Sequence, residues 1–362
     1  MTDERPQIRP RLLEIDRYRP GTPAEVIAAQ YGLNEVIKLA SNENPDGPFP
    51  GVVEAVAGAV ERSNRYPDNS AAPLKEELAK RHGVLPENIF PGAGSSAVLQ
   101  CIALAMGGAG TSAVYPWPSF VLYEILSKIA GTEGVRVQLD SDHRVDLDVM
   151  VGAMRHDTNL VYVCNPNNPT GTYRSRDDML ALVDAVAPSV LVVVDEAYAE
   201  YAIAPDFGSL ANVAVHRPNV LVLRTFSKIY GLAALRIGYA IGHPETLADV
   251  SRAQTPFTVT TAAQAGALAS LPHDLAGRRE TNRTGVDLIE HSLSRLGVTF
   301  APSQANFVWF DSGIEGEEMY RLLARRGVVV RNYGIGSWIR VTIGSAAENQ
   351  AFIVALEGVL GS

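Results

Sequence analysis

Cysteine is scarce in this chain: Cys101 and Cys164 are the only two in 362 residues. Their spacing fits neither a metal site nor a disulfide framework, and both read as small buried apolar side chains. Basic clusters are missing as well. The net charge is −9, and no run of five or six lysines and arginines occurs, which argues against a nucleic-acid-binding surface. Long apolar runs are absent too. The longest lies between Asp184 and Asp195, is interrupted by Pro188, and falls short of the roughly 20 residues that cross a bilayer. The first residues, MTDERPQIRPRLLEIDRYRPG, have no apolar centre and do not resemble a secretory signal, so the cytoplasm is the expected compartment. No glycine-rich segment ends in GK[ST] or follows the spaced dinucleotide pattern. Internal repeats and low-complexity blocks are lacking.

What is present is an ordinary globular composition, 46% hydrophobic and 20% charged, on a chain long enough for a large domain and a smaller one. Residues 73–82 predict an amphipathic helix opened by Pro73, and residues 96–106 a mostly buried one. Short apolar runs then end in polar residues: LVYVCNP at 160–166, VLVVVDEAY at 190–198 and NVLVLRTFSK at 219–228. Runs of this length separated by helical stretches, such as 176–187, predict buried parallel strands of an α/β sheet. Ligands of open α/β sheets sit outside the carboxyl ends of the strands. Three such ends carry Asn168, Asp195 and Lys228, so the sheet is expected to bring them together. From about residue 261 the pattern changes to a long helical region, strand-like segments at 298–310, 327–334 and 337–344, and a closing helix. We therefore expect a large α/β domain over 41–260 with a mostly parallel central sheet, and a smaller α+β domain from 1–40 and 261–362.

Four segments carry chemistry. Lys228 sits in TFSKIYGLAALRIGY, where Thr225 and Ser227 precede it and Arg236 follows eight residues on. Hydroxyls and a guanidinium suit a dianionic phosphate, and leave the lysine amine to react with an aldehyde. In PGAGSSAVLQ (91–100), small residues before a helix start form a phosphate cup, a signal that is unspecific alone. In VVVDEAY, an acid at the end of a buried strand needs a cation; the pyridinium nitrogen of pyridoxal 5′-phosphate is one, a structural salt bridge another. In CNPNNPTGTY, dense Asn and Pro mark a rigid turn, with room for a cis X–Pro bond, that would aim Asn168 at a cofactor oxygen; Tyr198 could donate to the same oxygen.

In this order, and with a late Arg340, the segments resemble the fold-type I aminotransferases over nearly the whole chain. SNENPDGP (41–48), NRYPD (64–68), CNPNNPTG, DEAY, RTFSKIYGLAALRIGY and RVTIG resemble the histidinol-phosphate aminotransferase family more closely. PSFVLY, TPFTV, PSQANFVW, VVVRNYG and AENQAF are similar to its aromatic (phenylalanine) aminotransferase subgroup. The resemblance implies a pyridoxal 5′-phosphate enzyme without a catalytic metal. Lys228 would carry the cofactor and later move the proton. Asp195 would bind the ring nitrogen, Asn168 and Tyr198 the phenolic oxygen, and Phe120 would stack on the ring; Trp117 nearby receives no role. Ser95, Ser96, Thr225, Ser227 and Arg236 would hold the phosphate, with Tyr66 reaching it from the neighbouring subunit of a homodimer. Arg340 would bind the terminal anion of the substrate, and Arg331 matches a second arginine used for a substrate phosphate. Tyr18 and Asn306 would line the substrate pocket. Two departures, LAALR where the second Ala is often Gly and Ser96 where some relatives have an acid, remove no required group.

The expected reaction is transamination of an aromatic amino acid (phenylalanine, tyrosine or tryptophan) with 2-oxoglutarate, in two half-reactions. The alternative is histidinol-phosphate transamination in histidine biosynthesis, which Arg331 keeps open. A related decarboxylase would share the fold and the anchors. A regulator with an aminotransferase fold would carry an additional DNA-binding domain, and here only about forty residues precede SNENP. Beside Arg236 in a partly dry site, the proton affinity of Lys228 is expected to fall.

Overall fold

The computed structural model of the chain describes residues 8–15 and 23–361. Seven strands form the central sheet: β1 (Ile89–Gly92), β2 (Ser112–Trp117), β3 (Glu133–Gln138), β4 (Thr158–Cys164), β5 (Leu191–Asp195), β6 (Val220–Thr225) and β7 (Gly238–Gly242). Their spatial order is β1-β7-β6-β5-β4-β2-β3, and β7 alone runs against its neighbours. Val192, Val193 and Val194 on β5 and Val220, Leu221 and Val222 on β6 are all buried, because helices cover both faces of the sheet. Among those helices are α1 (Ser95–Met106), α2 (Leu122–Ala130) and α3 (Arg176–Ala185). The start of α3 is fixed by a capping box between Ser175 and Asp178.

Strands β4, β5 and β6 are adjacent and parallel, with Cys164 opposite Asp195 and Asp195 opposite Leu223. Their carboxyl ends therefore share one edge. The sequence did not disclose the antiparallel strand β7, whose contribution is a close approach. A Cβ on Gly238 would lie 2.4 Å from the backbone N of Ser95 and 2.9 Å from the carbonyl oxygen of Arg224. The missing side chain lets α1 begin directly against the sheet.

A second core is built on strands β8 (Thr299–Ala301), β9 (Phe307–Asp311), β10 (Arg331–Asn332) and β11 (Trp338–Thr342), in the order β10-β11-β9-β8 and antiparallel. Helices α4 (Ala276–Arg295), α5 (Gly316–Ala324) and α6 (Ala346–Leu360) supply Ile289, Leu323 and Phe352 against Phe310, Ile339 and Val341. The helical region expected at 261–296 is two helices. Ala263 and Ala267 of the first, Thr261–Ser270, pack into the core of the large sheet, so it sides with that sheet rather than with the smaller unit. The amino-terminal region also divides. Ile37–Lys38 pairs in parallel with Val328–Val329, and Leu39 enters the second core. Further upstream, Arg9 donates to the carbonyl of Ile129 (2.8 Å), and Arg11 to those of Gly131 (3.0 Å) and Thr132 (2.9 Å), at the carboxyl end of α2. Cations there satisfy the last carbonyls of a helix and oppose its dipole.

Gly238→Ala should destabilise the protein by about 1–3 kcal/mol, since both obstacles are backbone and cannot rotate away. Gly58→Ala, in helix Val52–Val60 with open space around the new methyl group, should leave stability unchanged or raise it by up to about 1 kcal/mol. Thermal unfolding of both variants beside the parent protein measures the contrast.

Candidate active site

Outside the carboxyl ends of β4, β5 and β6 lies a cavity of about 460 Å³. Its wall includes Ser95, Ser96, Phe120, Asn168, Asp195, Tyr198, Thr225, Ser227, Lys228, Arg236, Arg331 and Arg340. The cavity thus gathers four cationic side chains against two carboxylates, Asp195 and Glu43, and favours an anionic ligand.

One end is built for a phosphate-like anion. Helix α1 starts at Ser95 behind Gly94, whose φ of +80° suits glycine. A Cβ at Gly94 would sit 2.7 Å from an amino group of the Arg236 guanidinium, so the glycine makes room for that arginine. Arg236 itself has a φ of 54°, and its Nη1 donates to the carbonyl of Ala233 at 2.9 Å and reaches Ser227 Oγ at 3.5 Å. The Ser227 amide donates to Thr225 Oγ1 at 3.0 Å, which closes the turn after β6. Backbone N–H groups at a helix start, hydroxyls and a guanidinium converge here.

The middle of the cavity holds the titratable groups. Asp195 is 3% exposed. Its Oδ1 accepts from the Ala197 amide at 3.2 Å and its Oδ2 from the Tyr123 hydroxyl at 3.0 Å. Burial pushes its pKa up to about 6, against these two hydrogen bonds, which lower it. Arg224, on the neighbouring strand β6, is committed to Glu196 (2.6 Å) and Glu200 (2.8 Å). Lys228 Nζ donates to the Ser41 carbonyl at 3.3 Å. Burial first, then the Arg340 guanidinium, bring its pKa down to about 8. Arg236 acts in the same direction, as the sequence led us to expect, but it is not the leading cause.

The loop CNPNNPTG divides its asparagines between scaffold and site. Asn165 pairs with the backbone of Arg174 in both directions, at 2.8 and 3.0 Å. Asn167 accepts from Ser119 at 2.7 Å and donates to the Pro118 carbonyl and to Thr170. That leaves Asn168, whose Oδ1 accepts from Tyr333 (3.0 Å) and from Arg340 (2.5 Å). The Asn165–Pro166, Asn168–Pro169 and Trp117–Pro118 bonds are cis. Trp117 lies under the guanidinium of Arg136, 4.2 Å from its ring centre.

The far wall comes from the second core. Arg331 and Arg340 are directly opposite each other in the β10–β11 pair, so both side chains leave the same face of that sheet. Arg340 is 4% exposed. Its Nη1 donates to Asn168 and Tyr333, and its Nη2 to the Ala40 carbonyl at 2.7 Å. Its Nε has no partner among the described residues, a buried donor in want of an acceptor.

Asn306 stands elsewhere, Tyr66, expected to serve the neighbouring subunit, lies outside the wall of its own chain's cavity, and Tyr18 lies outside the described residues. Asn306 does not line the cavity: it is buried behind Asn42, donating to its carbonyl at 3.2 Å, and borders a separate cavity of about 10 Å³. The fold spends it on joining the two cores. Tyr66 is 81% exposed, stacked on Phe257 with ring centres 4.5 Å apart, and is not part of the cavity wall. Several residues that matter here had been assigned no role. Asn42, with a φ of 53°, donates to the Tyr198 hydroxyl at 2.9 Å and exchanges two hydrogen bonds with Thr342. Its motif SNENP was the available signal. Tyr123 and Tyr333 stood in PSFVLY and VVVRNYG, but their partners are distant in sequence and no motif names them.

The family model described as aminotransferase class I and II matches residues 34–356. A histidinol-phosphate aminotransferase of Moorella thermoacetica is 41% identical over 98% of this chain and 93% of its own length. An aromatic amino acid aminotransferase of Streptomyces avermitilis is 40% identical over 99% of this chain and 98% of its own. Among solved structures, the histidinol-phosphate aminotransferase of Sinorhizobium meliloti in complex with pyridoxal-5′-phosphate superposes with a TM-score of 0.90 at 27% identity, over 100% of this chain and 99% of that one. A family match of this extent, on a sheet whose strand ends gather the lysine, the acid and the asparagine in one cavity, makes the chain a member of the class I and II aminotransferases, pyridoxal-phosphate-dependent enzymes of fold type I.

Proposed function

We propose that this aminotransferase acts on histidinol phosphate, with 2-oxoglutarate as the partner oxo acid. The observation that carries the reading is the register pairing of Arg331 with Arg340, which sets two guanidiniums on one face beside the cavity. A phosphate monoester offers more charge and more acceptors than one planar carboxylate, so it makes use of both. The names of the relatives lean the same way: those 37–41% identical include several histidinol-phosphate aminotransferases. The aromatic reading, which the sequence motifs placed first, becomes the second. It keeps support from aromatic aminotransferases at 40% identity and from Phe120, Tyr198 and Tyr333 in the cavity wall.

The residues fit pyridoxal phosphate on their own chemistry. The helix start behind Gly94, with Ser95, Ser96, Thr225, Ser227 and Arg236, would take the phosphate. Asp195 is a buried carboxylate in want of a cation and would hold the protonated ring nitrogen. Phe120 would lie against the ring. When bound, the cofactor supplies an aldehyde for the amino group and a ring that takes up the electron pair left at the substrate Cα. The chain does the rest. Tyr198 accepts at its oxygen from Asn42, which frees its own proton for donation to the phenolic oxygen, and burial keeps the phenol protonated. Asn168 has its Oδ1 occupied, leaving Nδ2 as its donor to the same oxygen. Arg340 would grip the substrate anion through its unpartnered edge, which orients Cα. Lys228 Nζ, neutral in a large fraction at pH 8, would take the Cα proton and deliver it to the cofactor.

A homodimer in the cytoplasm completes the reading. Tyr66 and Phe257 form an exposed aromatic pair outside the cavity wall of their own chain, which supports a role for Tyr66 toward a second copy. Both cysteines are buried free thiols, which suits a reducing compartment.

The following outcomes are expected. In the cofactor-free protein, amine-directed acylation of Lys228, followed by mass spectrometry, should reach half its maximal rate near pH 8, whereas ordinary lysines need a pH near 10.5. Lys228→Ala should lower turnover by at least about 10²–10⁴-fold. Arg331→Ala and Arg340→Ala should each cut kcat/KM on histidinol phosphate by about ten- to hundredfold, the loss of about 1.5–3 kcal/mol for a charge-assisted bond. On phenylalanine only Arg340→Ala should do so. Wild-type kcat/KM that favours phenylalanine, with Arg331→Ala nearly silent, would return the aromatic reading to first place. Sedimentation of the cofactor-loaded protein should give a dimer, and Tyr66→Ala should weaken cofactor retention without emptying the cavity of any of its own wall.

A further inference from the structure

The Asp195 carboxylate receives a single hydrogen bond from a side chain, and it comes from a residue outside the cavity wall. Tyr123 is fully buried in the first turn of α2 and donates its hydroxyl proton to Asp195 Oδ2 at 3.0 Å. Its ring is held on two sides. Tyr162 of β4 stacks on it with centres 4.9 Å apart and planes 7° from parallel, and Phe120 meets it edge-on at 5.7 Å. The Ser127 hydroxyl donates to the Tyr123 carbonyl at 2.8 Å, and Arg9 and Arg11 cap the far end of the same helix. Position and orientation of the phenol are therefore fixed by packing before any ligand arrives.

The two stacked tyrosines differ in what their hydroxyls do. The Tyr162 hydroxyl is buried with no partner, so phenylalanine would serve there as well. The Tyr123 hydroxyl is buried too, but it meets a carboxylate that forms no ion pair with a guanidinium among the described residues. A hydrogen bond from a neutral donor to an ionised acid is worth more than one between neutral groups, and it favours the charged form of the acid. It also leaves the other carboxylate oxygen, Oδ1, with only the Ala197 amide at 3.2 Å, open to a further donor.

We propose that Tyr123 is a positioning residue for the cofactor: it keeps the Asp195 carboxylate anionic and turned so that Oδ1 can accept from the protonated ring nitrogen. This rests on the reading of Asp195 as the partner of that nitrogen. Tyr123 touches neither substrate nor cofactor in this scheme and acts through Asp195 alone. Burial holds its phenol well above the ordinary tyrosine range, so it remains a donor across the working pH.

The test is a binding comparison on the full-length protein freed of cofactor. Pyridoxal phosphate and its 1-deaza analogue, in which carbon replaces the ring nitrogen, are titrated by quenching of intrinsic fluorescence. The ratio of the two dissociation constants measures how strongly the site recognises the nitrogen. Tyr123→Phe is expected to shrink that ratio by about ten- to hundredfold, almost wholly through weaker binding of pyridoxal phosphate. Tyr162→Phe, which disturbs the same stack without touching the donor, is expected to leave it unchanged. A 3-fluorotyrosine in place of Tyr123, a stronger donor of nearly the same shape, is expected to raise it, and this arm serves if Tyr123→Phe does not fold. Equal weakening of both ligands by Tyr123→Phe, or a ratio that no substitution at 123 moves, would overturn the proposal while leaving Asp195 in its role. Equal affinity of the unmodified protein for both ligands would overturn the role of Asp195, and the proposal with it.

Discussion

Asp195 ends a strand buried on both faces, where the described residues offer it two hydrogen bonds and no guanidinium partner. Removing a carboxylate from water is tolerable only when donors and a cation replace the solvent. Much of the site answers that need. Tyr123 is delivered by α2, the Ala197 amide by the turn after β5, and Lys228 by the turn after the neighbouring strand. Glu196, the next residue along, is compensated separately by Arg224, which also takes Glu200. Successive residues of a strand point to opposite faces, so the adjacent acids DE enter different environments. One acid is spent on structure; its neighbour is held in reserve for a ligand.

Around that centre the two cores divide the remaining work. The large sheet provides the lysine, the acid and the phosphate-like cup, all at strand ends or helix starts, where backbone geometry is stiff. The second core provides Arg331 and Arg340, the arginines proposed to bind the substrate anion, from a strand pair whose register sets them opposite each other. Residues 40–43 run between the two. The Ala40 carbonyl accepts from Arg340, the Ser41 carbonyl from Lys228, and Asn42 ties Thr342 to Tyr198. These bonds join the two cores beside the direct ones from Tyr333 and Arg340 to Asn168. The arginine that would hold the substrate is thereby coupled to the tyrosine and asparagine that would hold the cofactor.

Relatives of about 40% identity carry two substrate names, and the site accounts for why the overall likeness is shared between them. On the proposed roles, the lysine, the acid, the cup and Arg340 would be needed whichever amino compound enters. On the same reading the difference would rest on the surface that meets the rest of the substrate, where Arg331, Tyr333 and Glu43 line the cavity. Few residues would then decide it, and they weigh little in a comparison of whole chains.

Local pattern was enough for the strands around 160–164, 191–195 and 220–225, because runs of β-branched residues between helices fit a sheet covered on both faces. It was enough also for the meeting of Asn168, Asp195 and Lys228, since adjacent parallel strands must end at one edge. Gly94 and Gly238 could be seen as glycines; that one accommodates Arg236 and the other the start of α1 required the neighbouring backbone. Asn306 was expected in the pocket and stands behind it, Tyr123 reaches Asp195 across 72 residues, and Tyr333 bridges Arg340 to Asn168. The sequence by itself determined the order of the elements, the chemical type of the site and most of the groups lining it, because those follow from local periodicity and from motifs a few residues long. Tertiary structure alone decided which side chains pair with which, for a hydrogen bond between distant segments depends on register and packing that no short stretch of chain contains.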